Sequence, residues 1–95
     1  MKTVVFYRRS AATMEELMKV YPRHKAYEEN FAKDGGITGI GVFTHSSDND
    51  MDDFASMGIF KDRQTAEDFV RQDPFVLEGL VAKAIFREWG DELLP

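Results

Sequence analysis

Apolar residues along this chain recur in two rhythms, and the changes from one to the other mark out its elements. Thr3-Val-Val-Phe-Tyr-Arg8 is a short β-branched and aromatic run that reads as a strand. Thr13 followed by Glu16 three residues later is a capping-box signature: hydroxyl and carboxylate each accept a backbone N–H that the helix start would otherwise orphan. Met14, Leu17 and Met18 supply the apolar side. Pro22 interrupts that pattern, and because proline fits the first turn of a helix, a second helical segment is predicted from Pro22 to Lys33. Gly35-Gly36 closes it through the left-handed backbone that glycine permits, and Ile37 to Phe43 follows as a second strand. A polar stretch from Thr44 to Asp53 leads to a third strand, Phe54 to Phe60. Asp62 is the expected N-cap of another helix with Ala66, Phe69 and Val70 on one side; Asp73-Pro74 ends it, and Val81 to Trp89 is the last strand.

The resulting order, β-α-β-β-α-β, is the α+β, ferredoxin-like arrangement: a four-stranded antiparallel sheet with its helices on one face. The other face is then bare. Val5 and Tyr7 point opposite to Val4 and Phe6, and Val81, Ile85 and Trp89 oppose Ala82, Ala84 and Phe86, so both faces carry apolar groups. A second copy of the sheet is the simplest cover, which predicts a homodimer through the sheet face; a small-molecule cavity is the other use of such a surface.

Composition narrows the function classes. The 95 residues suit one domain over 1–95, and no repeat or linker divides them. With no Cys, thiol nucleophiles, thiolate metal sites and disulfides are excluded, and a reducing, cytoplasmic setting is expected. The first apolar run is too short for a signal-peptide core or a membrane span. A net charge of −5, with no basic face, argues against nucleic acid or an anionic membrane as partner.

His24 is the most informative residue. Val20, His24, Tyr27 and Phe31 fall within roughly 60° of one another on a helix of 3.6 residues per turn, with Lys25, Glu28, Glu29 and Lys33 assigned to other sides. An inward imidazole is either a satisfied core histidine or, if a carboxylate holds one nitrogen, an acid or base at the other. Asp73 is the best partner, because an acidic residue at a helix C-terminus opposes the dipole and calls for a reason. It could equally close the helix through an Asx-type turn with residues 75 to 76. Acidic residues alternate over 48–53 as in a calcium loop, but Asp53 replaces the required Gly and Ile59 the bidentate Glu; with His45 nearby still too few ligands are at hand, so neither metal nor cofactor is expected. Arg8 and Arg9 could clamp an anion. Ser10, Ser46 and Ser47 lack a nucleophile elbow, and Gly39-Ile-Gly41 does not complete a dinucleotide fingerprint.

Pro22-Arg-His24 with Tyr27, the glycines leading into Gly39-Ile-Gly41, Asp73-Pro74-Phe75 with Gly79-Leu80, and a final strand ending in Trp89 together resemble the YCII-related (YciI-like) family over nearly the whole chain. The resemblance implies a ferredoxin-like fold forming dimeric α/β barrels and a cleft where a histidine, here His24, meets an aspartate, here Asp73. The chain departs from many relatives in having Gly41-Val42-Phe43 where they carry Gly-Pro. On this basis the expected function is cofactor-independent acid–base chemistry by His24 and Asp73 on a small aromatic or cyclic molecule: elimination, isomerisation or hydrolysis. Arg8, Tyr27, Phe31, Phe75 and Trp89 are the expected substrate-binding residues. A non-catalytic dimer that binds a small ligand in the same pocket is the alternative.

Overall fold

The computed structural model describes residues 1–44 and 53–91, so His45, Ser46, Ser47 and positions 48–52 of the acidic stretch lie outside the described residues. Its elements are β1 (Lys2–Arg9), α1 (Met14–Lys33), β2 (Ile37–Val42), β3 (Phe54–Phe60), α2 (Arg63–Gln72), α3 (Pro74–Leu77) and β4 (Val81–Trp89). The strands form one sheet in the order β2-β3-β1-β4, every neighbouring pair antiparallel. This is the ferredoxin-like arrangement expected from the element order.

Local chemistry fixes the helix ends. Thr13 caps α1 reciprocally: its hydroxyl accepts from the Glu16 N–H at 3.2 Å, and the Glu16 carboxylate accepts from the Thr13 N–H at 3.0 Å. Gly35, at φ 72°, closes the other end, where the Gly36 N–H reaches back to the Phe31 carbonyl. Asp62 caps α2 by accepting from the Thr65 N–H at 2.8 Å.

Two expectations need correction and a third needs an addition. Pro22 does not divide the first helical region; α1 runs unbroken for 20 residues. The proline removes only the bond to the Met18 carbonyl, and Met18 is exposed, so water can take the donor's place while Val20 and His24 stay anchored in the core. The second correction is Val81, which packs with Ala84 and Phe86 on the helix side instead of with Ile85 and Trp89. A bulge is the cause: Arg8 pairs with Lys83 but Arg9 with Val81, so Ala82 is the extra residue and the alternation flips past it. Third, Asp73-Pro74 ends α2 but also starts a short helix, α3, with Asp73 as N-cap and Pro74 in its first turn.

The core lies between the sheet and the helices. Val5, Tyr7, Ile37 and Phe60 from the strands meet Ala66 and Phe69 from α2, with Tyr27, Phe31 and Val76 packed around them. The opposite face carries Val4, Phe6, Met57, Ile59 and Ile85, paired across β3, β1 and β4 as the register dictates. An open depression of about 350 Å³ lies there, lined by Val4, Phe6, Met57, Arg87, Glu88 and Trp89. Among the described residues no helix is long and apolar enough to cross a membrane.

Candidate active site

The inward face of α1 carries His24 to the junction of α2 and α3, where Asp73 stands. Both are buried, His24 at 7% exposure and Asp73 at 0%. His24 Nδ1 lies 2.8 Å from Asp73 Oδ1. A carboxylate this deep needs donors in place of water, and it has them: the imidazole Nδ1–H, the Phe75 N–H at 3.0 Å on the same Oδ1, and the Tyr7 hydroxyl at 2.6 Å on Oδ2. The two alternatives left open for Asp73 are therefore realised together. One oxygen closes the local turn and meets the histidine, and the other ties the junction to β1.

Phe75 stacks on the His24 ring with centroids 4.1 Å apart and planes 18° from parallel, and the edge of Phe69 meets the ring at 6.4 Å. The ring is thus packed against aromatic side chains while its Nδ1 is committed to Asp73. That bond puts the proton of a neutral imidazole on Nδ1 and leaves Nε2 as the position able to exchange a proton.

Two residues at this site escaped the sequence reading. Alternation groups Tyr7 with Val5 on one face of the first strand without saying which face is the core or what the hydroxyl meets; a buried phenol needs an acceptor, and that is the available signal. Burial and then the Asp73 charge push its hydroxyl far above the usual phenol range, so Tyr7 is a permanent donor to Asp73. Glu28 was assigned to another side of the helix. It is 9% exposed, and its Oε2 sits 3.1 Å from His24 Nε2, on the same face because residues four apart lie about 40° from one another. Its Oε1 accepts from Lys25 Nζ at 3.1 Å, a bond that raises the Lys25 ammonium above its ordinary range.

The other residues expected around a substrate are distributed unevenly. Phe75 is in contact with His24. Tyr27 and Phe31 continue along the same face of α1, but the Tyr27 ring packs against Phe31 and Phe69, and its hydroxyl donates to the Phe69 carbonyl at 2.8 Å. Burial, followed by Asp73 and Asp68, pushes the Tyr27 phenol up to about 12. Arg8 and Trp89 are not brought to His24. Arg8 lies over the Phe54 ring, which packs on Phe6, and Trp89 is 43% exposed in the depression on the bare face. Strand alternation puts both across the sheet from Tyr7 and Asp73. Among the described residues no group of three or more His, Cys, Asp or Glu side chains is arranged to hold a metal ion.

Comparison with known proteins gives the geometry a context. The family model for the YCII-related domain matches residues 1–90. Among solved structures, a 5-chloro-2-hydroxyhydroquinone dehydrochlorinase from Burkholderia phenoliruptrix, in complex with 2,5-dihydroxybenzoquinone, aligns with a TM-score of 0.74 at 23% identity, covering 97% of this chain and 96% of its own. A cofactor-independent oxygenase from Streptomyces nogalater aligns with a TM-score of 0.54 at 16% identity, covering 97% and 94%. A dimeric protein of ferredoxin-like fold from Bacteroides fragilis aligns with a TM-score of 0.52 at 15% identity, covering 93% and 94%. At these identities the likeness is one of fold. No protein among those of curated function matches the chain.

Proposed function

The chain belongs to the YCII-related domain family, and we propose that it is a cofactor-independent enzyme in which His24 and Asp73 perform acid–base chemistry on a small hydroxylated aromatic or cyclic molecule in the cytoplasm. One observation carries this reading: the buried contact of 2.8 Å between His24 Nδ1 and Asp73 Oδ1, which leaves Nε2 to move protons. Asp73 fixes the tautomer and stabilises the imidazolium when it forms, and Tyr7 and the Phe75 N–H keep Asp73 from turning. Phe75 offers an aromatic wall beside the ring. Elimination, isomerisation and hydrolysis all need a proton given or taken at one such point. Two proteins of this fold support the substrate class, a dehydrochlorinase bound to a dihydroxybenzoquinone and an oxygenase that needs no cofactor.

We further propose that two copies pair through the bare sheet face, in keeping with its apolar residues and with the dimeric protein of like fold. A second reading is favoured by the shielding of the ring, which Phe75 stacks upon and Glu28 flanks: the pair then fixes a bound ligand and converts nothing.

The test is incubation of the protein and of His24→Gln with small hydroxylated aromatics and quinones, following thermal stability and products together. The enzyme reading expects product from the wild type and about 10²–10⁴-fold less from His24→Gln. Stabilisation without product in the wild type would establish the binding reading, and equal turnover in both would remove His24 from the chemistry.

A further inference from the structure

The site holds a second carboxylate that the His24–Asp73 pair does not require. Glu28 Oε2 lies 3.1 Å from His24 Nε2, the nitrogen left over once Nδ1 is committed to Asp73. Two electron-rich atoms do not rest face to face at that separation in a buried setting; a proton belongs between them. Each group facing the ring is accounted for. Asp73, from the α2–α3 junction, takes the Nδ1 proton and is itself satisfied by Tyr7 of β1 and by the Phe75 N–H. Phe75 and Phe69 bring no charge, and the half-exposed Tyr21 ring is 6.2 Å away. From α1 come Glu28 and, through it, Lys25. Two carboxylates thus face one imidazole, and the Lys25 ammonium offsets the charge of one of them.

We propose that Glu28 is a positioning residue that holds the second proton of His24, so that the resting ring donates at both nitrogens and is loaded as an acid. The inference rests on the reading of His24 as the proton-moving group and adds where its proton is kept. When that proton passes to Glu28, the N–H bond at Nε2 breaks with its electron pair remaining on nitrogen, and an O–H bond forms at Oε2. A neutral ring is left, its Nδ1–H still on Asp73 and its Nε2 free as a base. The reverse transfer reloads the acid. Glu28 is 9% exposed, which shelters the exchange from bulk water, and Lys25 holds the carboxylate through its other oxygen. A ligand engaging Nε2 must bring an oxygen or nitrogen acceptor that takes the place of Glu28.

Long-range ¹H–¹⁵N spectra of the histidine rings at neutral pH, in the wild type and in Glu28→Gln, test this without a substrate. The expected result is a proton on His24 Nε2 in the wild type, and in Glu28→Gln its loss, with the Nε2 resonance shifting to that of a lone-pair nitrogen. A bare Nε2 in the wild type, or a proton retained in Glu28→Gln, would overturn the proposal. If the variant does not fold, the wild-type spectrum decides alone: a ring protonated at both nitrogens upholds the proposal and a bare Nε2 ends it. Nδ1 reports separately, since a bare Nδ1 would break the pairing with Asp73 whatever the state of Nε2.

Discussion

The two faces of the sheet are built from alternate residues of the same strands, yet they differ in kind. On the helix side Val5, Tyr7 and Phe60 are closed in with Ala66 and Phe69, and a fully buried aspartate joins three elements. On the other side Phe6, Met57, Ile59 and Ile85 stay partly open, and the polar groups at the rim, Arg87 and Glu88, belong to no buried network. On our reading, a two-residue period has sorted chemistry onto one surface and assembly onto the other. A buried polar network tolerates no missing member because each lost partner leaves an unsatisfied group, whereas an apolar face tolerates change in the single chain and registers it in association.

The sharpest way to break this contrast is Asp73→Ala. It strips the cap from α3 and orphans both the Tyr7 hydroxyl and His24 Nδ1, so a loss of about 3–5 kcal/mol in denaturant unfolding is expected. A loss below about 1 kcal/mol would mean that the network is not the keystone of the helix side. Met57→Lys attacks the other face by placing a charge beside Phe6 and Val4 in the open depression. Sedimentation should find it monomeric at concentrations where the wild type is a dimer, and a dimer that survives would move the interface elsewhere.

Tyr7→Phe comes next, at about 1–3 kcal/mol, the cost of leaving Asp73 Oδ2 without its donor. It also carries a signature in pH. The folded Tyr7 pKa is raised, so the stability it contributes is whole below the ordinary phenol pKa of about 10 and is lost as pH climbs beyond it. Alkaline destabilisation should therefore be shallower in Tyr7→Phe. It should not vanish, because Tyr27 is raised in the same sense, to about 12. Identical alkaline slopes in variant and wild type would contradict the buried bond. The smallest effect sharpens the contrast by touching neither face: Thr13→Ala opens the capping box of α1 and should lower the melting free energy by about 1 kcal/mol. Because the bond to Thr13 holds the Glu16 carboxyl below its usual range, that box contributes above the unfolded carboxylate pKa and weakens as pH falls through the folded one. The difference between Thr13→Ala and the wild type should accordingly shrink in acid.

Much of the fold was legible because it depends on short-range chemistry. The alternation of Val4 and Phe6 against Val5 and Tyr7, the caps at Thr13 and Asp62, and the turn at Gly35 are statements about neighbours, and all of them stand in the structure. Pro22 was misread because the anchoring of α1 at Val20 and His24, which outweighs one missing backbone bond, comes from tertiary packing. Val81 was misplaced because a bulge at a strand end leaves no clear mark in composition. At the site, the inward face of His24 and the awkward acid at Asp73 singled out the pair the structure joins. Tyr7 lies 66 residues from Asp73, a separation that local pattern cannot bridge, while Glu28 was within reach of the helical angle that had placed His24. Arg8 and Trp89 were grouped with the site by residue type, and strand alternation puts them across the sheet from it.

Everything proposed for the site depends on Asp73 holding His24 through Nδ1, and the ¹⁵N spectrum of the His24 ring in the wild type and in Asp73→Asn decides whether it does. The expected result is a protonated Nδ1 whose proton resonates far downfield, as a short N–H···O bond to a carboxylate requires, and the loss of that downfield position in Asp73→Asn. A His24 ring with a bare Nδ1, or one whose Nδ1 proton is unmoved by Asp73→Asn, would contradict it.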